Sequence, residues 1–259
     1  MQLQNALESV MTVLFHHRAT KCGLNIFLHK KSMIDVDHIF ILCDPHREPA
    51  RAAYLQSWLT SANIPESMYT MRLECYGDTI DDEYASKVYD PWQQRSYREM
   101  GSSGHNHNLK KGEISLVLNW RAAAVQAIAA GYKKVLFLES DVIFFPMFVE
   151  KFNRALASID KDDWDFLSIS AGANLRPSRP AGETTLRWFK APFYYHTRTT
   201  DAMVFKVEML EKIVSSLFPF ADVLDWELNY QLTIHNSRSF WLDPPLLEQG
   251  SGRIYPTTL

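Results

Sequence analysis

Two acidic residues, Glu139 and Asp141, directly follow a short apolar segment in the middle of the chain, within KKVLFLESDVIFFP at residues 133–146. The apolar residues 135–138 predict a buried strand, and ligands of α/β proteins bind at the carboxyl ends of strands. Two carboxylates there form a site of hard oxygen ligands, which suits Mn²⁺ or Mg²⁺ and, through the ion, a diphosphate. So short a pattern is common, and an exposed turn with two solvated acids is an equal alternative.

Two arginines follow the first predicted strand. Arg47 and Arg51 come after residues 36–43 (VDHIFILC), and Asp44 stands between that strand and the arginines. A guanidinium group is planar and presents a fork of N–H donors that fits a phosphate. At a strand end these side chains would contact the base or the phosphates of a nucleotide. In the alternative, they are solvated side chains in the first turn of a helix.

Strand and helix patterns alternate along the chain and must position these residues. Apolar runs predict strands over residues 36–43, 68–75, 135–138, 166–170, 201–206 and 239–242. Helical spacing of apolar residues predicts helices over 48–62, 111–130, 147–159, 207–217 and 225–234, and a further amphipathic helix over 3–17. This alternation predicts an α/β fold with a mainly parallel, Rossmann-like sheet flanked by helices.

Composition excludes several classes of function. The chain has 259 residues, with 27 basic against 30 acidic side chains, so no basic field is present to bind a nucleic acid. Three cysteines, Cys22, Cys43 and Cys75, match neither a zinc motif nor a disulfide framework. The sequence shows neither a signal peptide nor a transmembrane segment, so we expect a cytoplasmic protein. The oligomeric state is left open.

Several motifs, in collinear order, resemble glycosyltransferase family 25, which includes bacterial lipooligosaccharide galactosyltransferases and collagen galactosyltransferases. They are the segment 44–51 after the first strand, GEI at 112–114, KVLFLESDV at 134–142, TDA at 200–202, DWE at 225–227 and PPLLEQGS at 244–251. Ser140 replaces the middle acidic residue of the family's LEDD-type motif, and Asn119-Trp120 replaces its Ser-His pair. The resemblance covers residues 36–256, and the first 35 residues lie outside it.

The resemblance implies a GT-A type fold over residues 36–259, preceded by an N-terminal helical extension over 1–35. It implies a hexosyltransferase of glycan or lipopolysaccharide biosynthesis that uses a UDP-sugar, with galactose favoured. A Mn²⁺ or Mg²⁺ ion held by Asp141, with Glu139, would stabilise the charge that develops on the departing phosphate. Glu139 could equally bind the ribose of the donor. The other donor contacts that the resemblance suggests are Asp44, Arg47, Arg51 and Gln249.

Family members of this type are typically inverting, and inversion needs a base that takes the proton of the acceptor hydroxyl. Asp225 and Glu227 are the candidates. Asp225 could instead cap the following helix, which makes Glu227 the better candidate. Trp226, between the two acids, either stacks on a sugar face or belongs to the core.

Two other functions remain open at this stage. One is a catalytically silent protein that binds a nucleotide-sugar or a glycan on the same fold, which the departures at Ser140 and Trp120 suggest. The other is a nucleotidyltransferase, which would share the acidic strand end. It would also want a glycine-rich phosphate loop near the first strand, whereas residues 41–51 contain no glycine.

Overall fold

Residues 33–93, 108–159, 163–170, 172, 175–180, 182–193 and 195–251 are described by a computed structural model. From Met33 onwards the described residues belong to one unit. The helix predicted over residues 3–17 lies outside the described residues, as does nearly all of the predicted extension 1–35.

Nine strands are present among these residues. In chain order they are β1 (His38–Leu42), β2 (Tyr69–Met71), β3 (Lys134–Glu139), β4 (Val142–Phe144), β5 (Phe166–Ser168), β6 (Arg187–Lys190), β7 (Ala202–Lys206), β8 (Ser239–Asp243) and β9 (Leu247–Gln249). Seven of them form one sheet in the order β2-β1-β3-β7-β5-β8-β6, and β4 pairs with β9 in a separate antiparallel ribbon.

The main sheet is mixed. β1 pairs in parallel with β2 and β3, and β5 pairs in parallel with β8, whereas β7 lies antiparallel between β3 and β5 and β6 is antiparallel to β8. Five strands therefore run in one direction and two in the other. Four parallel strands end at the same end of the sheet, namely β1, β3, β5 and β8, and the antiparallel β7 begins there. The loops that follow these four strands therefore lie on one side of the sheet.

The described residues contain six α-helices: α1 (Pro49–Ser61), α2 (Asp82–Val88), α3 (Lys111–Ala129), α4 (Phe148–Ser158), α5 (Val207–Ser216) and α6 (Leu224–Ile234). Alternate residues of the central strands face opposite cores, as the pleat requires. In β3, Phe137 packs into one core with α2, α3, α5 and α6, while Leu136 packs into the other with α1 and α4. Helices therefore cover both faces of the sheet, and the predicted α/β class is confirmed.

Some elements differ from the sequence-based prediction. β2 ends at Met71, although the apolar pattern extends to Cys75. The reason is that the backbone N–H groups of Glu74 and Cys75 donate to the Asn119 side chain of α3, at 2.6 and 2.9 Å, instead of to a neighbouring strand. β4, β6, β9 and α2 were not predicted; the first three are short strands of three or four residues.

No helix among the described residues is both long enough and apolar enough to cross a lipid bilayer.

Candidate functional site

A cavity of about 460 Å³ lies where β1 and β3 end. Its walls come from the loop after β1, the first turns of α1 and α3, the turn after β3, and the chain around β9. The lining includes every residue that the sequence analysis assigned to a donor or a metal, namely Asp44, Arg47, Arg51, Glu139, Asp141 and Gln249. The fold thus brings together residues that are as far as 205 positions apart in the sequence, from Asp44 to Gln249.

Asp141 occupies the turn between β3 and β4 and is almost fully buried, with 3% of its surface exposed. Its backbone carbonyl accepts a hydrogen bond from the Gly250 N–H at 2.7 Å, which joins the turn to the end of β9. Its carboxylate oxygen Oδ1 is buried and has no hydrogen-bond partner among the described residues. An unpartnered buried carboxylate oxygen is costly, so this atom points to a cation or a donor group supplied by a ligand.

Glu139, at the end of β3, lies among other carboxylates. Its pKa is raised to about 8, mainly by burial; the charges of Asp141, Asp201 and Asp225 contribute to this rise, while a hydrogen bond from the Thr200 hydroxyl opposes it. Glu139 therefore holds a proton at neutral pH as long as no cation is bound beside it. A bound cation would reverse this preference.

Asp201 is a member of this carboxylate group that sequence reasoning did not single out. It is fully buried at the start of β7, and its Oδ2 atom has no hydrogen-bond partner among the described residues. Burial raises its pKa, and a hydrogen bond from the Thr199 hydroxyl opposes the shift. The sequence analysis quoted Asp201 within the TDA motif but gave it no role, because its proximity to Asp141 depends on the antiparallel pairing of β7 with β3.

The acidic residues supply only part of a coordination sphere. No three His, Cys, Asp or Glu side chains come together as a metal-binding group within the described parts of the chain. Mg²⁺ and related ions, however, are often held by one or two carboxylates together with substrate phosphates and water. Asp141 and Glu139 match a site in which the protein supplies only some of the ligands. The observation that supports this match is the unpartnered Oδ1 atom of Asp141.

Arg51 lines the cavity and forms hydrogen bonds with three segments of the chain. It is buried, and its Nη1 donates to Glu48 Oε1 at 2.6 Å and to the Ser140 hydroxyl at 2.8 Å. Its Nη2 donates to the Ser251 hydroxyl at 3.4 Å. The Ser140 hydroxyl in turn donates to Glu48 Oε1 at 2.8 Å. Ser140, which departs from the family motif, thus links the turn after β3 to α1.

Arg47 stands at the rim of the cavity and is half exposed. Its guanidinium lies 4.1 Å from the centre of the Tyr76 ring, and its Nη2 is 3.0 Å from Asp78 Oδ2. Its Nε is 3.5 Å from Asp44 Oδ2. Asp78 is exposed, and such a surface pair contributes little free energy, so Arg47 can exchange Asp78 for a phosphate at little cost.

The second departure from the family motif, Asn119-Trp120, has two different consequences. Trp120 is fully buried and packs against Phe137 and Phe205, with ring centres 5.6 and 5.7 Å apart, so it belongs to the core. Asn119 lines the cavity and holds the backbone of residues 74 and 75. Neither residue replaces the chemistry of a histidine.

The two candidate bases differ in their surroundings, and neither lines the cavity. Glu227 is fully buried; its Oε2 accepts from the Ala221 N–H and its Oε1 from Gln231 Nε2, each at 2.9 Å. Asp225 lies inside the first turn of α6 and does not cap it, because the capping position is Val223. Burial raises the pKa of Asp225 to about 6, and its charge acts on Glu139. Asp225 therefore belongs to the acidic group, whereas Glu227 holds the loop before α6.

Comparisons with known proteins give no family for this chain. No protein-family model matches it, and no curated protein matches it. Among solved structures it is similar to A197 from STIV, with a TM-score of 0.32 and 16% sequence identity over 51% of this chain. The similar region spans 64% of the length of that chain. A similarity this weak does not indicate a fold family or an activity.

Proposed function

We propose that the protein is an inverting, metal-dependent glycosyltransferase that transfers a hexose, with galactose favoured, from a UDP-sugar to a hydroxyl group of a glycan or a protein-linked acceptor. The observation that carries the proposal is the cavity at the ends of β1 and β3. All six residues predicted as donor or metal contacts line it, and an unpartnered carboxylate oxygen of Asp141 lies at its wall. The mixed α/β sheet is compatible with a GT-A type fold.

The charge of the cavity supports the need for a cation. Four acidic residues line it, Asp44, Glu48, Glu139 and Asp141, against the two basic residues Arg47 and Arg51. A diphosphate would be repelled by this excess of carboxylates unless a divalent ion neutralised them. When bound, such an ion would act as a Lewis acid that stabilises the charge on the leaving phosphate.

The residues of the chain have separate tasks in this proposal. Asp141, with Glu139, holds the ion, and Arg47 binds a phosphate or the base of the donor at the rim. Arg51 holds the lining of the cavity in place, because its guanidinium is already hydrogen-bonded to Glu48 and Ser140. Asp225 takes the proton from the acceptor hydroxyl, since a pKa of about 6 leaves it mostly ionised at neutral pH and still basic enough to accept a proton.

A specific observation favours a second candidate, a protein that binds a nucleotide-sugar without transferring it. Neither Asp225 nor Glu227 lines the donor cavity. If Asp225 does not reach an acceptor, binding would occur without a base. The two candidates differ in one measurement, the release of UDP.

The test is the release of UDP from UDP-galactose with Mn²⁺, measured with and without a panel of glycan acceptors. We expect release that depends on Mn²⁺ and rises with the right acceptor, and that Asp141→Asn abolishes. The control Glu208→Gln removes an exposed carboxylate from α5 and should change nothing. Undiminished release in excess EDTA, or in Asp141→Asn, would refute the metal site. Binding of UDP-galactose without release under any acceptor would favour the second candidate.

A further inference from the structure

A second cleft, of about 450 Å³, lies away from the donor cavity, between α4 and the chain segments 184–186 and 244–246. Its volume falls in the range typical of small-molecule sites. Lys151 and Arg154 of α4 form one wall, and Thr184 and Thr185 form the other. Pro244 and the two residues after it form part of the lining. Nothing in the proposed transfer reaction uses this cleft.

The two cations of the cleft are not ion-paired with any of the described residues. Lys151 and Arg154 are three residues apart on a helix, so they are neighbours on one face and repel each other. Neither forms an ion pair or a side-chain hydrogen bond within the described parts of the chain. Glu150 precedes Arg154 by four residues, and the pair forms no ion pair either. The hydroxyl groups of Thr184 and Thr185 likewise have no partner there.

Hydrogen bonds hold the two walls in place. The Trp188 indole N–H of β6 donates to the Ala155 carbonyl of α4 at 2.8 Å, which fastens the segment after Thr185 to the helix. Arg179 Nη2 donates to the Thr185 carbonyl at 2.6 Å, and Arg179 Nη1 binds Asp243 Oδ2 at 2.5 Å. The cleft is therefore preformed, and a ligand would not have to order either wall.

Two acidic residues that adjoin the 184–186 and 244–246 segments, Glu183 and Asp243, are paired with other arginines. Asp243 also binds Arg176, at 3.1 Å, and Glu183 binds Arg187 at 2.9 Å. These two carboxylates therefore compensate the arginines of the 176–187 segment and leave the charges of Lys151 and Arg154 in excess. A concave surface with an excess of positive charge attracts anions.

We propose that this cleft is a second ligand site and that it binds a phosphate group. A phosphate presents three or more oxygens in different directions, so the cations of one wall and the hydroxyl groups of the other can all donate to it at once. A carboxylate has two oxygens in one plane and would satisfy only one wall. The inference does not depend on the proposed transferase activity, although the segment 244–251 lines both cavities.

The test is calorimetric titration of the full chain with inorganic phosphate, pyrophosphate and a hexose 6-phosphate, with acetate as the carboxylate comparison. We expect the phosphates to bind at least about tenfold more tightly than acetate. Lys151→Gln with Arg154→Gln should weaken phosphate binding by about a hundredfold, since each of the two charge-assisted hydrogen bonds contributes roughly a factor of ten. Tighter binding of the hexose phosphate would identify a phosphorylated sugar, and equal binding a free phosphate.

A matched variant separates this cleft from the rest of the surface. Lys133→Gln removes an exposed cation just before β3, which does not line the cleft, and should retain phosphate binding. Absence of phosphate binding by the unmodified protein would overturn the proposal. So would equal binding by the double variant, or an equal loss of binding in Lys133→Gln.

Discussion

At the residue scale, the two acids of the DWE segment have different environments although they are only two positions apart. Glu227 accepts hydrogen bonds from the Ala221 backbone and Gln231, whereas Asp225 accepts from the Trp226 N–H and acts electrostatically on Glu139. The sequence pattern favoured Glu227 as the base, because it did not show where α6 begins, and the direction of each side chain depends on that start. It begins one residue before Asp225.

We predict that Asp225→Asn lowers kcat by a factor of about 10²–10⁴ while donor binding is retained, because a general base typically contributes that much. Glu227→Gln should instead act mainly on folding: it replaces a buried acceptor of a backbone N–H and should lower the free energy of unfolding by about 1–3 kcal/mol. Steady-state kinetics and chemical denaturation of both variants provide the check. Near-normal kcat in Asp225→Asn would remove it from the mechanism.

The raised pKa of Glu139 predicts how the free energy of unfolding changes with pH. Its carboxyl has a pKa of about 8 in the folded chain against an ordinary 4.5, so the folded state binds more protons between these values. The contribution of Glu139 to stability therefore falls as pH rises through this window, by up to about 1.4 kcal/mol per pH unit. The buried His196, whose pKa burial lowers to about 4, also binds protons differently in the two states, but it contributes equally to the unmodified protein and to a Glu139 variant.

Glu139→Gln should therefore reduce the loss of stability between pH 6.5 and 8, because the amide carries no proton to lose. Denaturant melts at several pH values, without divalent ions, measure this directly. Asp201 and Asp225 are present in both proteins, so the difference between the two curves isolates Glu139. Parallel curves for the two proteins would show that Glu139 is ionised throughout this range.

At the scale of elements, the positions of the long strands and helices follow from the sequence, whereas the short edge elements do not. The longer elements, β1, α1, α3, β3, β7 and α5, are rich in apolar residues because each is packed against a core. β4 and β9, with three residues each, exist because they pair with each other over residues 142–144 and 247–249. A local sequence pattern does not predict such a pairing. The ribbon of β4 and β9 places Gln249 beside Asp141.

The candidate site likewise contains residues that a local pattern predicts and residues that depend on tertiary contacts. Asp44, Arg47, Glu139 and Asp141 stand at strand ends, and the strand-end rule finds them. Glu48, Tyr76 and Asn119 also line the cavity, but they reach it through tertiary contacts between α1, α3 and the chain after β2. Glu48 lay within the quoted 44–51 segment, and its role became visible only through its contact with Ser140.

A prediction at this scale concerns Asn119, which connects α3 to the chain after β2. Its Oδ1 accepts the backbone N–H groups of Glu74 and Cys75, and its Nδ2 donates to the Cys75 carbonyl at 2.7 Å. Asn119→Ala leaves several backbone groups without a partner and should lower the free energy of unfolding by about 2–4 kcal/mol. Gln126→Ala, an exposed site of the same helix, should change it by less than about 0.5 kcal/mol.

At the scale of the whole molecule, the donor cavity is built from segments spread over the chain, from the loop after β1 to Ser251. Arg51 bridges three of these segments through Glu48, Ser140 and Ser251. A ligand that fills the cavity contacts groups that come together only in the folded chain. Such a ligand binds the native state alone and must therefore raise the stability of the entire domain.

The last prediction uses this linkage to test the ion and the nucleotide together. Because carboxylates outnumber arginines in the cavity, UDP alone should shift the melting temperature little. Mn²⁺ alone should also shift it little, because the carboxylates supply only part of its coordination sphere. Both ligands together at about 100 times their Kd should stabilise the fold by about 2.7 kcal/mol, which corresponds to roughly 5–10 °C in a domain of this size. Asp141→Asn should lose this joint shift, whereas Glu208→Gln should keep it. A full shift with UDP alone, in the presence of EDTA, would mean that the arginines suffice and that the acidic strand end has another role.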